Sequence, residues 1–131
     1  MFARSLLIAL IVIFQSSNSY GGDGTGKTYE LGCRLFASDT RVPTDKIEAV
    51  KVGECMGAID AIFMLRRALD QSIRFCPPPK GVTLRQNAKI VFKYLDDHPE
   101  QMTNDFTLLV VGAFRQVWPC PQDPATNAPL R

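Results

Sequence analysis

Four cysteines and a single histidine are the residues in this 131-residue sequence with the chemistry of a soft metal site or a thiolate nucleophile. Cys33, Cys55, Cys76 and Cys120 stand roughly twenty residues or more apart. Zinc sites favour close pairs such as Cys-x-x-Cys, so that spacing argues against metal. A catalytic cysteine would need His98 as its base. His98 follows Leu95-Asp96-Asp97 and precedes Pro99. It reads as the last turn of a helix, where cationic residues sit for the sake of the helix dipole. Asp96, Asp97 and Glu100 could be taken for an acid/base carboxylate set, but nothing apolar beside them would raise a pKa. They read as a wet helix end. Gly21-Gly22-Asp23-Gly24-Thr25-Gly26-Lys27-Thr28 fits the phosphate-loop pattern. That loop cradles phosphate only between a strand and a helix, and here a leader-like segment precedes it. A flexible glycine-rich tail over residues 20–27 is the expectation. No catalytic residue, metal ligand or cofactor is expected.

The elements around these residues begin with the leader. Arg4 is followed by the apolar run Leu6 to Phe14 and then the small polar residues Ser17-Asn18-Ser19. This order is that of a cleaved signal peptide spanning residues 1–19, with the cut before Tyr20. The apolar run is well short of the ~20 residues that span a bilayer. Losing the leader removes one of 15 basic residues and none of 13 acidic ones, leaving 14 against 13. A near-neutral chain lacks the basic excess that nucleic acid or an anionic membrane surface would call for. An even cysteine count in a short exported chain points to disulfides and an oxidising compartment.

The rest reads as one all-α domain of about four main helices, residues 28–120, with a loose tail at 121–131. Tyr29, Cys33 and Phe36 predict a helix over about 28–38. A second helix starts between Asp45 and Gly53 and ends near Arg74. Its apolar face is Cys55, Ala58, Ile59, Ile62, Leu65, Leu69 and Ile73. Arg66, Arg67, Asp70, Gln71 and Arg74 form its solvated face, with Arg66–Asp70 and Asp70–Arg74 as i,i+4 pairs. Gly57, Ala58 and Ala61 thin the helix enough for a neighbour to come close. Cys76-Pro77-Pro78-Pro79 ends it. Thr83 and Gln86 form a capping box for a third helix carrying Leu84, Ala88, Val91 and Leu95, which stops at His98-Pro99. Thr103 or Asn104 caps a fourth, with Phe106, Leu109, Val110, Ala113, Phe114 and Val117 on its apolar face.

Geometry chooses among the three cysteine connectivities. If residues 55 to 74 form one helix, Cys55 and Cys76 lie about 30 Å apart, far beyond the ~7 Å a disulfide allows. Short connections make consecutive helices antiparallel, which brings Cys120 to the Cys76 end. The expected bonds are Cys33–Cys55 and Cys76–Cys120.

Five ordered pieces then resemble the Rap1a/Tai family of type VI secretion immunity proteins. They are Gly53-Glu54-Cys55-Met56-Gly57-Ala58-Ile59-Asp60-Ala61, Phe75-Cys76-Pro77, Gly81 to Gln86, Val91 to Glu100, and Val117-Trp118-Pro119-Cys120. The resemblance covers about residues 53–120, with a weaker echo at Cys33. It implies a mostly helical periplasmic protein that binds and blocks a peptidoglycan-cleaving amidase effector, with dimers among its relatives. The proline-rich stretch after Cys76 departs from the family pattern. An inhibitor of this kind needs a rigid scaffold and a projecting element. The best candidate is the connection Asp97-His98-Pro99-Glu100-Gln101-Met102-Thr103, and the second is the face carrying Arg66, Arg67 and Arg74. The alternative is a periplasmic chaperone-like or stress-related helical binder without a toxin partner; a hydrolase acting on its own is a further rival.

Overall fold

Carboxylate and hydroxyl caps set where three of the helices begin. The computed structural model describes residues 23–38 and 42–121. The expected leader with its cleavage point, and the expected tail beyond Pro121, lie outside the described residues. Helix α1 spans Gly26–Ala37, α2 Lys46–Leu65, α3 Leu84–Asp97 and α4 Phe106–Val117. Asp45 caps α2 by accepting from Glu48 N at 2.9 Å, while Glu48 Oε2 accepts from Thr44 N. Thr83 and Gln86 close the reciprocal box at α3: Thr83 N donates to Gln86 Oε1 at 2.8 Å and Gln86 N to Thr83 Oγ1 at 3.2 Å. Each such cap satisfies amides the helix leaves orphaned and stabilises by about 1 kcal/mol.

The cap of α4 is Asp105, not Thr103 or Asn104; its Oδ1 accepts from Thr107 N at 2.8 Å. Asn104 is held back in the preceding turn, its N–H on Gln101 O and its carbonyl on Gly26 N. Residues 24–27, expected in a flexible tail, are also ordered. Phe106 N donates to Gly24 O, Gly26 N to Asn104 O and Lys27 N to Met102 O. The Asp23 carboxylate accepts from Thr25 and Thr28, and these bonds, Thr28's first, hold its pKa below 3.8. Helix α1 therefore starts two residues before its expected position, locked to the turn that feeds α4.

A second departure is the end of α2. It stops at Leu65, and residues 66–73 run through turns rather than continuing to Arg74. Asp70 explains part of this, because its carboxylate accepts from Ser72 N at 2.9 Å. A short acidic side chain bonded to nearby backbone competes with the helix ladder. The Arg74 guanidinium donates to Leu69 O and Arg66 to Phe63 O, so the arginines also satisfy turn carbonyls. Leu65 and Ile73 consequently stand exposed instead of extending the buried stripe.

That break lets the chain turn Phe75 inward. Phe75 and Phe114 are fully buried, with ring centroids 4.8 Å apart, and Phe63 and Trp118 pack around Phe114 at 5.8 and 5.3 Å. Phe75 also pairs with Pro119 across an isolated bridge, and Cys76 N donates to Trp118 O at 2.9 Å. The Cys76–Cys120 disulfide lies next to that bridge, with Cα atoms 4.9 Å apart.

The most extensive helix pairing is α1 with α2. Gly32 makes it possible, since a Cβ there would fall 1.9 Å from Lys51 O. Cys33 and Cys55 bond one another at the same seam, Cα atoms 5.3 Å apart, both wholly buried. Arg85, near the start of α3, reaches the end of α1: its guanidinium donates to Phe36 O and Ser38 O, both at 2.9 Å, and lies over the Phe36 ring. The start of α1 meets the turn after α3, so α1 and α3 run antiparallel. Buried Ile59, Val91 and Val110 complete the centre. The fold is all-α, and the described residues contain no strand.

Candidate partner-binding surface

Most of the residues with potential chemistry are occupied by structure. All four cysteines are in disulfides, so the described residues hold no thiol to be activated. His98 caps α3; its Nδ1 lies 2.8 Å from Tyr94 O and its ring stacks on Tyr94 with centroids 4.2 Å apart. Asp97 pairs with Lys93 at 2.8 Å, and that bond raises the lysine's pKa above its ordinary 10.5. Among the described residues no three acidic, cysteine or histidine side chains are grouped to hold a metal ion. Of the phosphate-loop stretch, Gly26, Lys27 and Thr28 form the first turn of α1. Their backbone amides are committed: Gly26 N to Asn104 O, Lys27 N to Met102 O and Thr28 N to Thr25 O. Gly21 and Gly22 lie outside the described residues.

The connection from Asp97 to Thr103 is a built feature. Pro99–Gln101 form a 3₁₀ turn, with proline at the first position where its fixed φ suits the helix and its missing N–H costs nothing. Gln101 N donates to His98 O at 2.9 Å, and Tyr94 Oη to Gln101 Oε1 at 3.3 Å. Met102 is not available to a partner, because its side chain is buried in the core and its carbonyl holds Lys27 N. Asp97, Pro99, Glu100 and Thr103 are exposed; His98 and Gln101 are half-buried. The segment thus presents a short acidic ridge braced from below by Met102 and from the side by the start of α1.

Beside the ridge lies a cleft of about 150 Å³ lined by Glu30, Phe92, Leu95, Asp96, Pro99 and Met102. Its lining is apolar with two carboxylates, one of them, Glu30, paired with Arg34, which also lies over the Phe92 ring at 5.8 Å. Glu30 and Phe92 were not readable as site residues from sequence. They come from different helices, and only the packing of α1 on α3 joins them. The second candidate face is dispersed. Arg66 covers the Phe63 ring at 4.6 Å and Arg74 is tied to Leu69 O, leaving Arg67 as the exposed member.

Comparison with known proteins agrees with this architecture. No curated protein and no solved structure matches the chain. Residues 25–120 match the family model of the Rap1a immunity proteins, from the cap of α1 to the last cysteine. The match takes in the α1–α2 seam as well as the region of the sequence resemblance. On that span the chain belongs to the Rap1a immunity protein family.

Proposed function

We propose that this protein is exported to the periplasm, where it binds and blocks a peptidoglycan-cleaving amidase delivered by a type VI secretion system. The observation that carries this reading is the family match over the whole helical body. Two disulfides suit an oxidising compartment, and the leader-like N-terminus suits export. Inhibition would be by occlusion, with the ridge Asp97–Thr103 entering the effector's cleft. The ridge is held by a proline-led 3₁₀ turn and by backbone bonds to residues 24–27. Such pre-ordering reduces the entropy lost on binding.

The test is co-expression with an amidase effector directed to the periplasm. Survival of the cells and co-purification of the two chains is the expected result. Glu100→Arg should weaken co-purification without changing thermal stability, because its side chain is exposed. Cells that lyse despite abundant immunity protein would refute the reading, as would digestion of purified peptidoglycan by this chain alone.

A further inference from the structure

The cleft beside the Asp97–Thr103 ridge combines an apolar interior with an acidic rim. Leu95 and Met102, 3% and 9% exposed, lie deepest, and the half-buried Phe92 and exposed Pro99 flank them. Its volume of about 150 Å³ is that of an apolar cavity able to take up one benzene. A flat group of that size fits, and the rim identifies it as a cation. Glu30 and Asp96 stand on the rim, from α1 and α3, with Asp97 and Glu100 on the adjoining ridge. Glu30 is already paired with Arg34, and Asp97 with Lys93. Asp96 and Glu100 have no salt bridge to a described residue, and Asp96 acts on Lys93 only through its charge. Asp96 is also set against its own helix. It stands in the last turn of α3, which carries no basic residue, where the helix dipole disfavours a negative charge. An exposed, unpaired carboxylate at that position is best explained by a positive charge arriving from outside the chain.

One guanidinium is already held at the edge of the cleft. Arg34 lies over the Phe92 ring at 5.8 Å while it bonds the Glu30 carboxylate. Ring face and carboxylate together form its seat, and Asp96 offers the second carboxylate. From these observations we infer that the cleft takes the tip of an arginine from the partner protein. Its guanidinium donates to Asp96, and its methylenes lie against Phe92, Leu95 and Met102. Arginine suits the site better than lysine. Its planar fork matches a carboxylate, is weakly hydrated and stacks on aromatic rings, whereas an ammonium is a strongly hydrated point charge. The planar group with its last two methylenes is also about the size of a benzene. An arginine enclosed in this way is the kind of side chain that dominates binding at interfaces. The inference rests on the proposed inhibition of an effector and adds the chemistry by which that effector is recognised. The cleft shares Pro99 and Met102 with the ridge, so a partner that receives the ridge also covers the cleft.

The site is tested first without an effector, by titrating the mature chain with n-butylguanidinium and following the backbone amide resonances. Shifts centred on Phe92, Leu95, Asp96 and Met102 are expected, saturating with a dissociation constant on the order of millimolar for so small a fragment. n-Butylammonium should bind several-fold more weakly, and n-butylurea, an uncharged molecule of the same shape, more weakly still. Asp96→Asn should weaken n-butylguanidinium by about fivefold. Its thermal midpoint should hold or rise, because the end of α3 loses an unfavourable charge. In co-purification with an amidase effector, Asp96→Lys should release the effector although the variant is as stable as the wild type. Absence of shifts at the cleft overturns the proposal. So does n-butylurea or n-butylammonium binding as tightly as n-butylguanidinium, indifference to Asp96→Asn, or an effector fully retained by Asp96→Lys. If no effector binds the wild-type chain, the proposed inhibition fails, and the n-butylguanidinium titration still decides whether the cleft accepts an arginine.

Discussion

The two disulfides do different work at different depths. Cys33–Cys55 joins two helices beside the close approach at Gly32, and both cysteines are wholly buried. Cys76–Cys120 joins two non-helical segments at the surface, Cys76 exposed and Cys120 half-buried. Loop entropy alone ranks the surface clasp higher. It closes a sequence separation of 44 against 22, or ~4.0 against ~3.4 kcal/mol. Burial ranks them the other way, since deleting two enclosed sulfurs also forfeits transfer energy and leaves a cavity. The second effect is larger here, because doubling a loop is worth only ~0.6 kcal/mol. We therefore expect Cys33→Ala/Cys55→Ala to cost about 5 kcal/mol and Cys76→Ala/Cys120→Ala about 3–4 kcal/mol in urea unfolding. The reverse order would mean that the α1–α2 seam relaxes around the missing sulfurs.

Two glycines sharpen the same contrast. At the seam, Gly32 is fixed by packing: its Cβ would strike the carbonyl of Lys51. Near the clasp, Gly81 has φ +81° and open space around it, so its requirement is conformational. Gly32→Ala has to push α1 away from α2 next to the buried disulfide and should cost about 3 kcal/mol or more. Gly81→Ala only forces an alanine into the left-handed region, about 1–2 kcal/mol. Thermal unfolding of the two variants side by side checks the ranking. Equal losses would show that the close approach at Gly32 is easily relieved.

The same division marks what could be read from sequence. The disulfide at the seam was legible because its signals are local, a helix period through Cys33 and Cys55. The close approach at Gly32 was not: the small residues Gly57 and Ala61, read as the place where a neighbour comes close, are exposed, and a Cβ on Gly57 would meet nothing within 4 Å. Nor was the region between α2 and the clasp. Leu65, Leu69 and Ile73 keep the helical period to Arg74, and nothing in that period shows that Asp70 will bond Ser72 instead. The ~30 Å separation used to exclude a Cys55–Cys76 bond thus rested on a helix longer than the real one. The connection over residues 66–83 is also longer than the short turn assumed. At the candidate site, proline at 99 and the helix end at His98 were readable. The burial of Met102 and the docking of Gly24–Lys27 on Asn104 and Met102 were not, because they pair segments some 75 residues apart. Asn87 is a further surprise: it sits inside the apolar stripe of α3, 2% exposed, with Oδ1 unpartnered.

Acid should separate the two regions once more, by a smaller margin. Asp70 lies in the turns leading to the clasp, and its pKa is held below the ordinary 3.8, first by the Ser72 N–H, then by the Ser72 side chain and the charge of Arg74. A carboxylate with a depressed folded pKa contributes stability above its unfolded value, and loses that contribution as pH falls through the folded one. The contribution is therefore present at neutral pH and fades below 3.8. Asp23, just before α1, has a pKa depressed in the same direction, and acid should fray that first turn. It lies nine residues before Gly32, however, and the disulfide and Gly32 themselves carry no proton to lose. Acidification should open the 66–73 turns before the α1–α2 contact. The Ser72 amide should lose protection from hydrogen exchange as pH drops below 3.8, and the clasp should become more reducible by a phosphine, while Cys33–Cys55 keeps its neutral-pH rate. In Asp70→Asn the neutral amide cannot reproduce the charge-assisted bond to Ser72 N, so the turns should already exchange faster at neutral pH and respond little to acid. If acid instead loosened both disulfides together, the turn and the seam would belong to one cooperative unit, and the distinction between buried staple and surface clasp would fail.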